Sequence, residues 1–100
     1  MKELETNDLS NLKGYSLIDF YATWCGPCTV LKPILEKIEK EYDDINFYSI
    51  DIDNNKDLIK EYNISSVPTV LFLEDGEIIS SSVGFIPEKM ITNFIQKCKG

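Results

Sequence analysis

The sequence predicts an α/β fold in which a central mixed β-sheet of about four to five strands is flanked by about four helices. Short runs of β-branched and aromatic residues alternate with segments whose apolar residues recur every three or four positions. An Asp-Gly pair at positions 75 and 76 separates the last two strand-like runs, which predicts an antiparallel hairpin beside parallel strands. A length of 100 residues with 43% hydrophobic content suits a single domain over residues 1–100.

The N-terminal segment gives weak signals before the first clear strand. Residues 2–6 alternate as a short edge strand would, and Asn7 or Asp8 is typical of the N-cap of a short helix that reaches Lys13. Residues 15–22 form an apolar run of the kind found in buried strands. We therefore expect one strand and one short helix before the first confident strand.

A longer helix follows, from Cys28 to about Glu41. Pro33 falls inside this pattern, which continues in register on both sides of it and so predicts a kinked rather than a broken helix. The residues predicted to face inward are Val30, Leu31, Ile34, Leu35, Ile38 and Tyr42.

The second half of the chain completes the sheet. We predict a strand at 45–52, a short helix at 56–62, strands at 69–73 and 77–83, and a last helix that begins at Pro87. Strand, helix, strand order implies right-handed parallel crossovers. The apolar stripe of the last helix comprises Met90, Ile91, Phe94, Ile95 and Cys98, and Cys98 is expected there as a small buried hydrophobe.

Composition excludes several classes of function. Ten lysines face seventeen acidic residues, and the net charge of −7 disfavours nucleic acid or an anionic membrane as a partner. The chain has neither Arg nor His, so no Cys-His or Ser-His catalytic pair is available and the commonest zinc ligand is missing.

Targeting signals are missing from the printed sequence. Residues 1–5 lack an apolar signal-peptide core and no apolar run reaches the length of a membrane span, so we expect a cytoplasmic location. In a reducing compartment a close cysteine pair indicates redox or metal chemistry.

The pair in question lies in Trp24-Cys25-Gly26-Pro27-Cys28, where the first clear strand gives way to the long helix. Unpaired N–H groups and the positive end of the helix dipole would stabilise a thiolate on Cys25. Pro27 fixes φ at the start of the helix, and Gly26 removes a side chain where a substrate must approach. A structural zinc site is the alternative, but zinc needs about four ligands and only Cys98 remains. We therefore predict no metal.

Five features, in this order and spacing, resemble the thioredoxin family over essentially the whole chain. They are Asp19-Phe20, the Trp24–Cys28 motif, Pro33, Val67-Pro68-Thr69 and Gly84. The resemblance implies a thioredoxin fold and dithiol–disulfide exchange with disulfide-containing protein substrates. It also implies re-reduction by a thioredoxin reductase, with no cofactor beyond the Cys25–Cys28 disulfide.

Roles for individual residues follow from the same resemblance. Cys25 matches the attacking thiol, Cys28 the resolving thiol and Asp19 the buried carboxylate beneath them. Pro68 matches a proline that follows a cis peptide bond. Ser49 occupies a strand position where many members carry a Lys, so we expect it to offer at most a hydrogen bond and the proton route to rely more on water.

Asp19 is also informative from its position alone. Strand alternation puts it on one face with Leu17 and Tyr21, where an unpaired carboxylate is costly unless it is protonated. A raised pKa would suit a general base that takes the Cys28 proton, and no His could do this instead. The alternative is an edge carboxylate that faces water.

A substrate-docking surface is expected around the cysteines. Val67 backbone groups would pair with an extended substrate segment by strand addition. For Trp24 the alternative is packing in the core. The predicted apolar surface comprises Trp24, Gly26, Pro27, Val67, Pro68, Gly84 and Phe85.

The leading hypothesis is a monomeric protein-disulfide reductase, an enzyme in which Cys25 attacks and Cys28 resolves. The absence of histidine removes the imidazolium expected of a strongly oxidising pair, so we predict a reductant. The alternative is a binding or scaffold subunit of the same fold in which the redox pair is dispensable.

Overall fold

The computed structural model describes residues 1–100 and contains five strands, three α-helices and one 3₁₀ turn. The strands are β1 (Lys2–Glu3), β2 (Tyr15–Tyr21), β3 (Ile45–Asp51), β4 (Thr69–Glu74) and β5 (Glu77–Val83). The helices are α1 (Gly26–Glu39), α2 (Lys56–Glu61) and α3 (Glu88–Lys99), and the 3₁₀ turn is Ile52–Asn54. None of the helices combines the length and the apolar character that crossing a bilayer requires.

The strands form one mixed sheet in the order β1-β3-β2-β4-β5. β1, β3 and β2 are parallel, whereas β4 runs antiparallel to both β2 and β5. Asp75 and Gly76 join β4 to β5 with positive φ angles of 51° and 81°, the backbone geometry that a tight hairpin requires. The predicted mixed sheet and hairpin are therefore confirmed.

Helices cover both faces of the sheet, and alternate residues of each strand supply the two cores. On one face, strand residues such as Leu17 and Phe72 pack against α1 and α3. On the other face, strand residues such as Phe20 pack against α2 and the segment around Leu9. The central strand β2 is buried from Ser16 to Phe20, so the cysteine motif that follows it is attached to the buried centre of the sheet.

The predicted helix before β2 is wrong. Residues 7–13 contain a single turn at Ser10 and Asn11, in which the Leu12 N–H donates to the Leu9 carbonyl at 3.2 Å. The Asp8 carboxylate accepts hydrogen bonds from the Ser10 amide at 2.9 Å and from the Ser10 hydroxyl at 2.6 Å at the start of this turn. Leu9 is fully buried in the core and anchors the turn, so tertiary packing holds the segment without a helix. The structure thus has three α-helices rather than about four.

Two residues of the predicted apolar stripes face solvent. Val30 in α1 is 55% exposed and Met90 in α3 is 53% exposed. Each directly precedes a fully buried neighbour, Leu31 or Ile91, and one residue turns the helix by about 100°, away from the sheet. The helix α1 continues through Pro33, as predicted.

Candidate active site

The cysteine motif forms the N-terminus of α1. Cys25 is the N-cap residue, with extended backbone angles of φ −91° and ψ 109°, and Gly26 and Pro27 begin the helix. The Cys25 Sγ accepts a hydrogen bond from the Cys28 backbone N–H at 3.2 Å, in the way that a Ser or Asp side chain usually caps a helix. The sulfur therefore lies where the helix offers unpaired donors and positive potential.

Cys25 and Cys28 are joined by a disulfide, with their Cα atoms 5.3 Å apart. Both are buried, with 5% and 3% of their surface exposed, and they pack with Ala22 and the partly buried Val67. This small cluster lies where β2 leads into α1, so the redox pair is held between the sheet and the helix.

Asp19 is buried on the side of β2 that faces α1. It is 1% exposed, and its Oδ1 atom has no hydrogen-bond partner. Burial raises the pKa of Asp19 to about 7; the Lys32 ammonium opposes this rise and the Glu3 carboxylate adds to it. The predicted burial of Asp19 is therefore confirmed, and the alternative of an edge carboxylate that faces water is wrong.

A cleft of about 260 Å³ connects this carboxyl to the redox pair. Asp19 and Cys28 both line it, together with side chains from the start of α1 that include Thr29 and Lys32. A water molecule occupies about 30 Å³ in the liquid, so the cleft is large enough for several. Proton exchange between Asp19 and Cys28 by way of water is therefore sterically open.

Ser49 pairs with Asp19 across the sheet but does not donate its hydroxyl to it. The Ser49 Oγ donates instead to Glu3 Oε1, at 3.2 Å. The Tyr21 hydroxyl donates to the same oxygen at 2.8 Å. Burial, together with this hydrogen bond to Glu3, raises the pKa of Tyr21, so its phenol stays neutral.

Trp24 is not a core residue, since 68% of its surface is exposed. Its indole Nε1 donates to Asp53 Oδ2 at 3.0 Å. Trp24 and Val67 line one shallow groove beside the disulfide, with Ile52 and Ile64 supplying further apolar surface. An aromatic ring fixed at one edge and open on its face suits contact with a passing polypeptide.

Pro68 and Gly84, two further residues of the predicted docking surface, are hydrogen-bonded to each other. The Val67–Pro68 peptide bond is cis, as the resemblance predicted. The Gly84 N–H donates to the Pro68 carbonyl at 2.8 Å, which ties the end of β5 to the start of β4. Phe85 follows Gly84 and is 44% exposed.

The remaining cysteine lies on another element. Cys98 is a free, partly buried thiol in α3 that packs against the larger core, and burial raises its pKa. No group of three or more His, Cys, Asp or Glu side chains is arranged so that it could hold a metal ion.

Three residues near the site were missed by reasoning from the sequence: Glu3, Lys32 and Asp53. Glu3 and Asp53 lie far along the chain from the residues that they contact. Lys32 lies on α1 and reaches the cleft beside Asp19 only because that helix packs on the sheet. Asp53, for example, reaches Trp24 across 29 positions. No local pattern could have found these contacts, because strand order and helix packing create them.

The disulfide at the N-terminus of α1 places the chain in the class of thiol–disulfide oxidoreductases that work through a cysteine pair. A family model described as Thioredoxin matches residues 3–97. The chain belongs to the thioredoxin family, and it performs thioredoxin-like dithiol–disulfide exchange as a protein-disulfide oxidoreductase.

Similar proteins cover nearly the same length. The chain is 40% identical over 86 residues to a thioredoxin of Bacillus subtilis strain 168, a match that spans 85% of this chain and 83% of the relative. It is 36% identical over 92 residues to a thioredoxin of Mycoplasmoides gallisepticum, spanning 92% of each. A solved mutant thioredoxin from Halobacterium salinarum NRC-1 is similar with a TM-score of 0.88 at 30% identity, covering 99% of this chain and 90% of that one.

Proposed function

We propose that this chain acts as a protein-disulfide reductase, as one domain over residues 1–100, with Cys25 as the attacking and Cys28 as the resolving thiol. The hydrogen bond from the Cys28 N–H to the Cys25 sulfur carries the proposal. In the reduced protein the same donor and the α1 dipole stabilise a thiolate on Cys25 in preference to Cys28. A stabilised thiolate is the form that attacks a disulfide.

The exchange proceeds in two displacements. The Cys25 thiolate attacks one sulfur of the substrate disulfide, a Cys25–substrate disulfide forms, and the first substrate sulfur leaves as a thiolate that takes a proton from water. Cys28 then loses its proton and attacks the Cys25 sulfur. The second substrate thiolate leaves, so the substrate gains two electrons and Cys25–Cys28 is left oxidised.

Asp19 is the proposed acceptor of the Cys28 proton. The support is its burial beside the pair, its unpartnered Oδ1 and the cleft that it shares with Cys28. A carboxyl whose pKa is about 7 is half ionised at neutral pH and so suits both uptake and return of a proton. Water in the cleft would carry the proton.

The proposed docking surface surrounds the Cys25 sulfur. It comprises Trp24, Gly26, Pro27, Val67, Pro68, Gly84 and Phe85. Trp24 and Phe85 support it by their exposed rings, and Gly26 by its open surroundings, with no atom within 4 Å of the place where a Cβ would lie. Val67 packs against the cysteines, so a substrate strand paired with its backbone would bring its disulfide to Cys25.

We further propose that the protein is a cytoplasmic monomer that reduces disulfide-containing proteins and is re-reduced by a thioredoxin reductase. The absence of histidine supports a reductant over an oxidant, because no imidazolium is available to stabilise the reduced pair strongly. The curated relatives named thioredoxin support the same direction.

Insulin reduction in the presence of dithiothreitol tests the proposal. Wild-type protein should accelerate the precipitation of the insulin B chain, Cys25→Ser should abolish the acceleration, and Cys28→Ser should accumulate a mixed disulfide visible by mass spectrometry. Cys98→Ser is the matched control and should keep at least about 80% of the wild-type rate, since Cys98 lies on α3. Full activity of Cys25→Ser would show that the assignment of the attacking thiol is wrong.

A further inference from the structure

A row of three polar side chains crosses the sheet towards the redox pair. Glu3 of β1 is in register with Ser49 of β3, and Ser49 is in register with Asp19 of β2. The strands are parallel, so the three side chains point to the same face. Neighbouring strands lie about 4.8 Å apart, which puts the backbones of Glu3 and Asp19 roughly 10 Å from each other.

The carboxylate of Glu3 is held in place at the end of this row. Its Oε1 accepts the Tyr21 hydroxyl at 2.8 Å and the Ser49 hydroxyl at 3.2 Å. A serine has a single hydroxyl proton, so Ser49 has none left to donate to Asp19. Asp19 Oδ1 accordingly remains without a donor.

Glu3 therefore disfavours the ionised form of Asp19 in two ways. Its negative charge faces the carboxyl along the row, and it occupies the one neighbouring hydroxyl proton that could have stabilised a carboxylate there. Because Ser49 is 2% exposed and Asp19 is 1% exposed, little water separates the two acids along the row.

A cation opposes this effect from the helix. Lys32 of α1 lines the cleft next to Asp19, and its Nζ lies 5.9 Å from the centre of the Tyr21 ring. Opposite Asp19 on β4 stands the uncharged Val70. The titratable groups that face Asp19 are Glu3 of β1, Tyr21 of β2, and Cys28 and Lys32 of α1; Asp51 of β3 acts on Tyr21, its partner in register.

We propose that Glu3 is a positioning residue for proton transfer: held by Tyr21 and Ser49, its carboxylate adds to the effect of burial in favouring the protonated form of Asp19, and it partly offsets the opposing charge of Lys32. The inference rests on the proposed role of Asp19. In the oxidised protein a protonated Asp19 is ready to return its proton to Cys28 when the disulfide is reduced. Glu3 therefore favours the return of a proton from Asp19 to Cys28 when the disulfide is reduced again. Lys32 favours the opposite transfer, from Cys28 to Asp19, during substrate reduction.

NMR titration of the aspartate side-chain carboxyl carbons in the oxidised protein tests the inference directly. Glu3→Gln should lower the midpoint of the Asp19 titration by about 0.3 to 1.2 pH units, as one charge about 10 Å away predicts for an effective dielectric constant between about 80 and 20. Lys32→Gln should raise it, and Tyr21→Phe, which releases the Glu3 carboxylate, should lower it. Glu5→Gln is the matched control, since it removes the same charge from another exposed residue of the same segment. An equal shift in Glu3→Gln and Glu5→Gln, or none in Glu3→Gln, would overturn the inference.

Stopped-flow kinetics separates this inference from the proposed function. The measured quantity is the rate at which the second thiol is released from an aromatic disulfide substrate, recorded as a function of pH. If Glu3→Gln moves the Asp19 titration and the rate profile together to lower pH, both stand. If the titration moves and the rate profile does not, Glu3 acts on Asp19 but Asp19 is not the proton acceptor. If the rate follows the Asp19 titration in both proteins and Glu3→Gln moves neither, the inference about Glu3 is wrong.

Discussion

Replacing Asp19 with asparagine should stabilise the protein, and the gain should grow with pH. Asparagine keeps the shape of the protonated acid but cannot ionise. A rise in pKa from 3.8 to about 7 means that the fold binds the Asp19 proton about three orders of magnitude more tightly than the unfolded chain does. Above pH 7, where Asp19 is ionised in the folded protein, its burial therefore lowers the free energy of unfolding by about 4 kcal/mol.

The sign follows from the direction of the shift. Because the folded-state pKa lies above the unfolded one, the favourable contribution of Asp19 is fully present below about pH 4 and falls as the pH rises. It is lost once the pH passes about 7. The stability difference between Asp19→Asn and wild type should thus be smallest near pH 4 and larger by about 4 kcal/mol at pH 8.

Urea unfolding of the oxidised proteins at a series of pH values between 4 and 8.5 measures this difference. Asp43→Asn is the control, because Asp43 is exposed in the turn after α1 and should show no such trend. A constant difference between Asp19→Asn and wild type across the range would refute the reasoning, since it would mean that Asp19 ionises as easily in the fold as in the unfolded chain.

Further predictions concern the hairpin and the docking surface. Gly76→Ala should lower the free energy of unfolding by about 2 kcal/mol or more, because φ is +81° and a Cβ would collide with the Ser10 carbonyl. Gly26→Ala should change it by less than about 0.5 kcal/mol, and urea unfolding compares the two; equal stabilities would contradict this prediction. Asp53→Ala removes the acceptor of the Trp24 indole, so KM for insulin should rise about three- to tenfold while turnover of a small aromatic disulfide is unchanged. A parallel loss with both substrates would indicate a general structural defect instead.

Local chemistry explains why much of the fold was predictable. The runs that form β2, β3 and β4 are rich in apolar residues over the lengths that strands need. Asp75-Gly76 supplies the positive φ angles of the hairpin that adds the more polar β5. The helix α1 was predictable because Leu31, Leu35 and Ile38 recur at helical spacing. The segment 7–13 was not, since its turn depends on Leu9 entering a core built by distant residues.

The sequence by itself determined the chemistry of this protein: a cysteine pair at a strand-to-helix junction, with a carboxylate, Asp19, in the strand that leads to it. Those features depend on residues close together in the chain, and their conformations follow from local rules. Only the tertiary structure decided the setting of the carboxylate. The order β1-β3-β2 puts Glu3 in one row with Ser49 and Asp19, and packing of α1 on the sheet brings Lys32 to the same cleft. Charge acts through space, so the protonation of Asp19 depends on neighbours that the linear sequence keeps apart.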